Sequence, residues 1–331
     1  MRITEIYSEL KSNGSGFAFN TISVPNFHGV YLGASSSGKP CLFIDTGESG
    51  LQEPSMKTSR ITLGLGNEYR VSVSGNAPRV MRLDSLLCES DEELDKRTFL
   101  SLVDGFLNTI GKSEIERTSL IAFFLSVSKL FSISQAKDVE YERQGLWGEL
   151  FFMAKVKGFS FWFPFWHSEP TRKFDFSGGT KRLEVKTSVG NERIHQFAHR
   201  QVYPFGEEEI ALASILLRRE DSGLSLRKLI DSARDVISTG KELIKLARSE
   251  RIAGMDNSEL GPCFDETEAE KSLALFWARE VPHFTMAEPS GVSQTHYRID
   301  LSNATSIGQT EFEEWLSKWP ETLRNLESAI H

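Results

Sequence analysis

The sequence predicts an α/β (α+β) protein: a β-rich N-terminal domain over residues 1–90, then a mixed domain over 91–331. Three observations lead there. The first 85 or so residues are rich in Gly, Ser and Asn and break into short apolar runs. Near Cys88 the texture changes to apolar residues at helical spacing. Beyond residue 158, strand-like and helical runs alternate. A chain of 331 residues is long enough to hold two such domains.

In order, Val30–Gly33, Cys41–Ile44, Arg60–Leu65 and Tyr69–Ser74 read as strands separated by Ser-Gly and Gly-Asn turn chemistry. Glu89–Ile110 and Arg117–Phe131 read as helices, the first with a stripe of Phe99, Leu102, Val103, Phe106 and Leu107. A third helix is predicted over Val139–Lys157. An aromatic run, GFSFWFPFW at 158–166, leads into a hairpin, KFDFSGGTKRLEVKTS at 173–188. Glu209–Leu217 is apolar enough for a buried strand. Leu224–Val236, Glu242–Arg248 and Thr267–Glu280 have helical spacing, Thr295–Leu301 reads as a strand, and Glu311–Ile330 as a helix or helix pair. There is no internal repeat.

Composition excludes several classes. No apolar run approaches the ~18 residues of a membrane span, and the N-terminus lacks the apolar core of a secretory signal. Three cysteines, far apart and without a Cys-x-x-Cys pair, argue against a zinc finger or a disulfide framework and fit a reducing cytoplasm. A net charge of −8 gives no global attraction to nucleic acid, so any such contact needs a local basic patch. Residues 172–193 provide one: Arg172, Lys173, Lys181, Arg182, Lys186 and Arg193 against Asp175, Glu184 and Glu192. GASSSGKP at 33–40 approximates a phosphate-cradling loop, but Pro40 replaces the metal-binding hydroxyl and a strand pattern follows where a helix is required. An NTPase is therefore rejected.

The hairpin carries the chemistry. Side chains alternate along a strand, so Phe174 and Phe176 point one way and Asp175 the other, while Leu183 and Val185 oppose Arg182, Glu184 and Lys186. A turn centred on Gly178-Gly179 sets Asp175 opposite Arg182 and makes Glu184 its diagonal neighbour, roughly 7–8 Å away at the backbone. Two carboxylates held that close repel unless a cation sits between them. Mg²⁺ or Mn²⁺ suits such a pair, completed by water and phosphate oxygens. Lys186 is placed to orient a water or stabilise charge on a phosphorane. A hairpin with the same three groups merely solvated gives the same pattern, and that alternative stays open.

In the helix before the hairpin, Glu142 and Glu149 are seven residues apart and share a face. Gly145 and Gly148 lie between them at a cost of roughly 1 kcal/mol each relative to Ala. They point to close approach of a ligand or of another backbone, with tight helix–sheet packing as the simpler explanation. Glu149 is favoured as functional and Glu142 as solvated. His195 and His199 are spaced i, i+4 but lack a third metal ligand, so DNA-phosphate or hydrogen-bonding roles are preferred over zinc. The aromatic run is assigned to packing over base stacking.

GLWGELFFMAKV, then Trp166 and Pro170 in W-x(3)-P, the FDF of Phe174–Phe176, LEVKTS, and a Gln after a basic/His segment together resemble the PD-(D/E)XK nuclease superfamily. Within it they are similar to a bacterial branch called simply "PD-(D/E)XK motif protein". The motif-bearing match spans about residues 140–217. The resemblance implies a restriction-endonuclease-like core, a mixed sheet flanked by helices, and a metal-dependent DNA endonuclease. By position Asp175 and Glu184 become the two motif acids, Lys186 the motif lysine and Glu149 the acid of the first core helix. The Val185 carbonyl becomes a further metal ligand beside Asp175 and Glu184, and Gln201 matches a glutamine found in some branches. Phe174 stands where the motif has Pro. Expected DNA contacts are Lys173, Arg182, Arg193, His195 and Gln201. Relatives are implied to act in restriction or phage-defence clusters beside ATPases or helicases and DNA methyltransferases, and double-strand cutting favours a homodimer. The competing reading is a nuclease fold used as a DNA-binding or assembly module without catalysis.

Overall fold

The computed structural model describes residues 3–11, 18–45, 52–111, 114–131, 138–167, 173–237, 239–255 and 260–319. Arg172, Pro170 and the C-terminal half of the Glu311–Ile330 segment lie outside the described residues. The chain begins with α1 (Ile3–Lys11), followed by β1 (Phe19–Ser23), β2 (Val30–Ala34), β3 (Pro40–Asp45), β4 (Glu53–Lys57), β5 (Ile61–Val73) and β6 (Arg79–Cys88). Helices α2 (Glu93–Ile110), α3 (Arg117–Phe131), α4 (Val139–Lys155) and α5 (Phe159–Trp162) come next. Then follow β7 (Phe176–Gly178), β8 (Lys181–Val189), β9 (Ile194–Ala198), α6 (His199–Val202), β10 (Glu209–Leu217) and β11 (Arg219–Ser225). The remainder is α7 (Leu226–Val236), α8 (Gly240–Ile252), β12 (Cys263–Phe264), α9 (Glu266–Ser272), β13 (Ala274–Trp277), β14 (His296–Asp300) and α10 (Gln309–Ser317).

Two compact units emerge, Met1–Ser134 with Ser238–Arg251, and Gln135–Ile237 with Ile252–His331. The first therefore extends past the boundary read near residue 90. Its sheet runs β1-β2-β3-β6-β5-β4, and β1 also pairs in parallel with β5, so five strands close on themselves. Closure removes the exposed edges of an open sheet. Phe43, Cys41, Val71 and Leu83 fill part of the interior, with Phe19 and Tyr69 packed edge-on to Phe43. Helices α2 and α3 belong here because Phe106 stacks on Phe123, with ring centroids 4.3 Å apart. Fully buried Asp95 on α2 binds Arg60, just before β5, at 3.1 Å and Arg251 of α8 at 2.6 Å, which draws in the returning helix. The near phosphate loop is the β2–β3 hairpin turn, with Gly38 at φ 70° and no helix after it.

The second unit is built on a mixed sheet, β13-β10-β8-β7. Strands β8 and β10 pair in parallel along their whole length, from Glu209 opposite Lys181 to Leu217 opposite Val189. Strand β7 lies antiparallel to β8 at one edge and β13 antiparallel to β10 at the other. β10 is apolar almost throughout, as a central strand covered on both faces must be, whereas β8 alternates Leu183 and Val185 with Arg182, Glu184 and Lys186. Helix α4 lies on β8 at Gly148, where any Cβ would collide with Thr187. Trp147 and Phe151 of α4 itself, together with Trp162, Trp166 and Phe176, are fully buried.

Some elements differ from the sequence reading. β5 is one strand, not two, because the register shift at Leu65–Gly66, between Gly64 and Asn67, is a bulge against β6 and not a turn. The helix read over Thr267–Glu280 stops at Ser272, and the apolar run Ala274–Trp277 becomes edge strand β13. The hairpin register is offset by two. Phe176 faces Leu183 and Gly178 faces Lys181, so the turn is Gly179-Thr180, with Gly179 at φ 55°. Glycine at the first central position with positive φ is the type II′ arrangement, which suits strand twist.

Candidate active site

The register places Asp175, one residue before β7, next to Glu184 and Val185 and away from Arg182. A two-residue slip leaves every side chain on its original face, because the strand period is two. The Val185 amide donates to Asp175 Oδ2 at 2.7 Å, which ties the acid to the β8 edge beyond the last β7 pair. In an extended strand one residue's N–H and C=O point to the same side, so the Val185 carbonyl faces that edge too. The Asp175 carbonyl accepts from His167 at 2.8 Å, and Trp166 bridges Phe176, which anchors the loop from its other side.

Glu184 lies in the middle of β8 and is only 3% exposed. Its Oε1 accepts from Lys186 Nζ at 2.6 Å and from Gln201 Nε2 at 2.6 Å. Its Oε2 is buried with no protein donor. Gln201 on α6 also donates to the Lys173 carbonyl at 2.8 Å and accepts from the Ala198 amide at 3.0 Å. One amide thus links the two segments that carry Asp175 and Glu184.

Glu149 comes from the buried half of α4. Its Oε2 accepts from Trp166 Nε1 at 2.6 Å. Burial pushes its carboxyl up to about 7, and the neighbouring Glu184 adds to the rise while Trp166 opposes it. Asp175 is pushed well above the usual carboxylate range by burial, then by Glu184 and Glu149. Glu184 is raised by burial against the opposing effect of Lys186. Burial alone would lower Lys186, but Glu184 and Asp175 outweigh it and hold the ammonium charged. Three carboxylates therefore converge around one lysine, an excess of negative charge that a cation would relieve.

The groups able to hold a hard cation are the Asp175 and Glu184 carboxylates and the Val185 carbonyl. The buried Oε2 of Glu184 has no protein donor, which is costly for a carboxylate oxygen and fits a cation at that position. Among the described residues no group of three His, Cys, Asp or Glu forms a metal cage. Two carboxylates completed by a carbonyl, water and phosphate oxygens is the pattern Mg²⁺ ordinarily uses.

The structure does not assemble every anticipated contact. His195 is buried at 4% exposure, with Nε2 bonded to Ser214 Oγ at 2.7 Å, and burial lowers its pKa to about 4. It is an uncharged interior group. Arg193 donates to the Ser214 carbonyl and hydroxyl at 2.9 Å and to Ser272, so it ties β10 to α9. Arg182 pairs with Glu208 at 3.1 Å, and Lys173 is exposed. His195 and His199 do not share a helix, since one lies on β9 and the other opens α6. Gly148 serves helix–strand packing, whereas Gly145 faces open space. The aromatic run is interior, yet it supplies the Trp166 donor to Glu149. Sequence reasoning missed that role; the available signal was that a buried indole N–H needs an acceptor.

No helix among the described residues is long and apolar enough to cross a membrane. No curated protein and no solved structure matches the chain. A family model described as "Putative PD-(D/E)XK family member, (DUF4420)" matches residues 3–302. With that match spanning nearly its whole length, the chain belongs to this family of nuclease-like proteins.

Proposed function

We propose that the protein is a metal-dependent DNA endonuclease that hydrolyses phosphodiester bonds. The observation that carries this reading is Glu184, whose Oε1 is held by Lys186 and Gln201 while its buried Oε2 has no donor. Asp175, Glu184 and the Val185 carbonyl would hold Mg²⁺ or Mn²⁺. When bound, such an ion polarises a phosphoryl oxygen and lowers the pKa of water.

The protein groups divide the remaining work. Lys186 is charged and placed beside Glu184, where it stabilises negative charge developing on the phosphoryl oxygens. Glu149, with its carboxyl near 7, can take a proton from an attacking water at neutral pH. Trp166 fixes the orientation of that carboxylate, and Gln201 fixes Glu184. By the same reading the closed N-terminal barrel contacts DNA or a partner. The protein would act in the cytoplasm in restriction or phage defence, beside an ATPase or helicase and a DNA methyltransferase, with a homodimer for double-strand cutting.

The test is cleavage of end-labelled DNA by the wild-type protein with Mg²⁺, Mn²⁺ or EDTA. Fragments that form only with metal support the reading. Metal-independent fragments, or none with either metal, contradict it.

A further inference from the structure

Of the Phe, Tyr and Trp side chains among the described residues, three are exposed: Tyr141 at 62%, Phe205 at 70% and Phe284 at 65%. All three belong to the second unit, and each connects to the candidate active site. Tyr141 opens α4 three residues before Gln144, whose amide reaches Thr187 Oγ1 at 3.1 Å, next to Lys186. Residues at i and i+3 share a helix face, and Tyr141 lies near enough to Lys186 to interact electrostatically with its ammonium group. Phe205 follows α6, four residues after Gln201, and the Arg200 guanidinium lies over its ring at 4.9 Å. Phe284 packs edge-on to Tyr297 at 5.2 Å, and Tyr297 bonds His199, the first residue of α6, at 3.0 Å. Exposed Met286 continues this strap and accepts from His199 Nε2 at 2.9 Å. Exposed aromatic rings therefore flank the site on the α4 side and on the α6 side.

The cations near the site tell a complementary story. Lys181 pairs with Glu209 at 2.8 Å, Arg182 with Glu208 at 3.1 Å and Lys186 with Glu184 at 2.6 Å, while Arg193 is spent on β10 and α9. A duplex binder commonly engages about 6–10 phosphates through such groups. This surface instead offers few unpaired cations, a net charge of −8 on the whole chain, and rings with free faces. Every base has a π-face, so rings bind unpaired strands with little regard to sequence. In an intact duplex those faces are already stacked.

Resting on the nuclease reading above, we infer that the substrate is an unpaired polynucleotide strand, whether a single strand, a flap or a frayed end, whose bases stack on Tyr141, Phe205 and Phe284. The strand enters along α6 and passes Glu184 and Lys186 toward α4. Arg200 strengthens the Phe205 platform by lying on the ring face opposite the base.

The test is fluorescence anisotropy in EDTA with a labelled strand of about twenty nucleotides and the matching duplex. The wild type is expected to bind the single strand at least ~10-fold more tightly. Each of Tyr141→Ala, Phe205→Ala and Phe284→Ala is expected to weaken single-strand binding about 10-fold and to leave duplex binding unchanged. Phe284→Trp retains a ring and should retain affinity. Since these side chains are exposed, the variants should keep the wild-type circular dichroism spectrum, which is recorded alongside. Equal or tighter duplex binding, or alanine variants that bind as the wild type does, would overturn the inference; the latter outcome would leave the rings to a protein partner. Adding Mn²⁺ separates the two claims. Ring-dependent binding without cleavage keeps this inference and removes the nuclease, whereas faster duplex cutting, untouched by the ring variants, does the reverse.

Discussion

Gln201 donates to the same oxygen of Glu184 that Lys186 holds, each at 2.6 Å, and so turns the other oxygen into the one free acceptor of that carboxylate. Partners that orient a ligand in this way usually matter about 10–100-fold for metal affinity. Gln201→Ala is therefore expected to weaken Mn²⁺ binding by that order, and Glu184→Ala to abolish it. Calorimetric titration of the metal decides. Unchanged affinity in Gln201→Ala would show that the amide only braces the Lys173 loop.

Trp166 and Glu149 form a second such pair, at 2.6 Å inside the core. Trp166→Phe removes the donor and leaves a carboxylate oxygen unsatisfied, a loss of about 1–3 kcal/mol beyond the effect of the smaller ring. A double-mutant cycle with Glu149→Gln, followed by urea unfolding, isolates that share. Additive effects of the two changes would mean that the hydrogen bond contributes nothing.

The two glycines of α4 should respond oppositely. Gly148→Ala places a methyl against Thr187 and should destabilise the protein by ~1–3 kcal/mol while pushing Glu149 away from β8. Gly145→Ala meets no atom within 4 Å and should stabilise the helix by roughly 1 kcal/mol. Thermal unfolding of both variants reports the difference in sign. If Gly145→Ala also lowers activity while raising stability, its open face lies on the substrate path.

Acidity gives a further handle. The Glu149 carboxyl in the folded protein titrates near 7, above the ordinary value of 4.5 that the unfolded chain keeps. Between those values the folded state holds the proton and the unfolded state has lost it, so this group's contribution to stability falls as pH rises through that window. Below the window both states are protonated and the penalty is absent. The metal-free wild type should lose thermal stability from pH 4.5 to about 7, and Glu149→Gln should flatten the trend. A divalent cation should restore stability most at the upper end.

Much of this was legible in the sequence, for physical reasons that differ by element. Helix α3 and strand β10 fall where their periodicity placed them, because a full-length amphipathic stripe or a nine-residue apolar run admits one reading. The convergence of Asp175, Glu184 and Lys186 survived an incorrect register, since a slip of two conserves the face. What failed was short or ambiguous. Ala274–Trp277 can continue a helix or form a strand, and only the free edge of β10 decides. His195 and Arg193 read as a basic surface, yet Ser214 lies beneath both, a contact across strands that no local spacing reveals. The Trp166–Glu149 bond, seventeen residues long in sequence, was hidden for the same reason.

The central claim is that Asp175, Glu184 and Lys186 form one hydrolytic site. The most direct measurement is the rate of supercoiled plasmid nicking in Mg²⁺ or Mn²⁺ by the wild type, Asp175→Ala and Lys186→Ala. Metal-dependent nicking by the wild type and a loss of at least ~10²-fold in both variants are expected. Nicking that persists in either variant at the wild-type rate would contradict the claim.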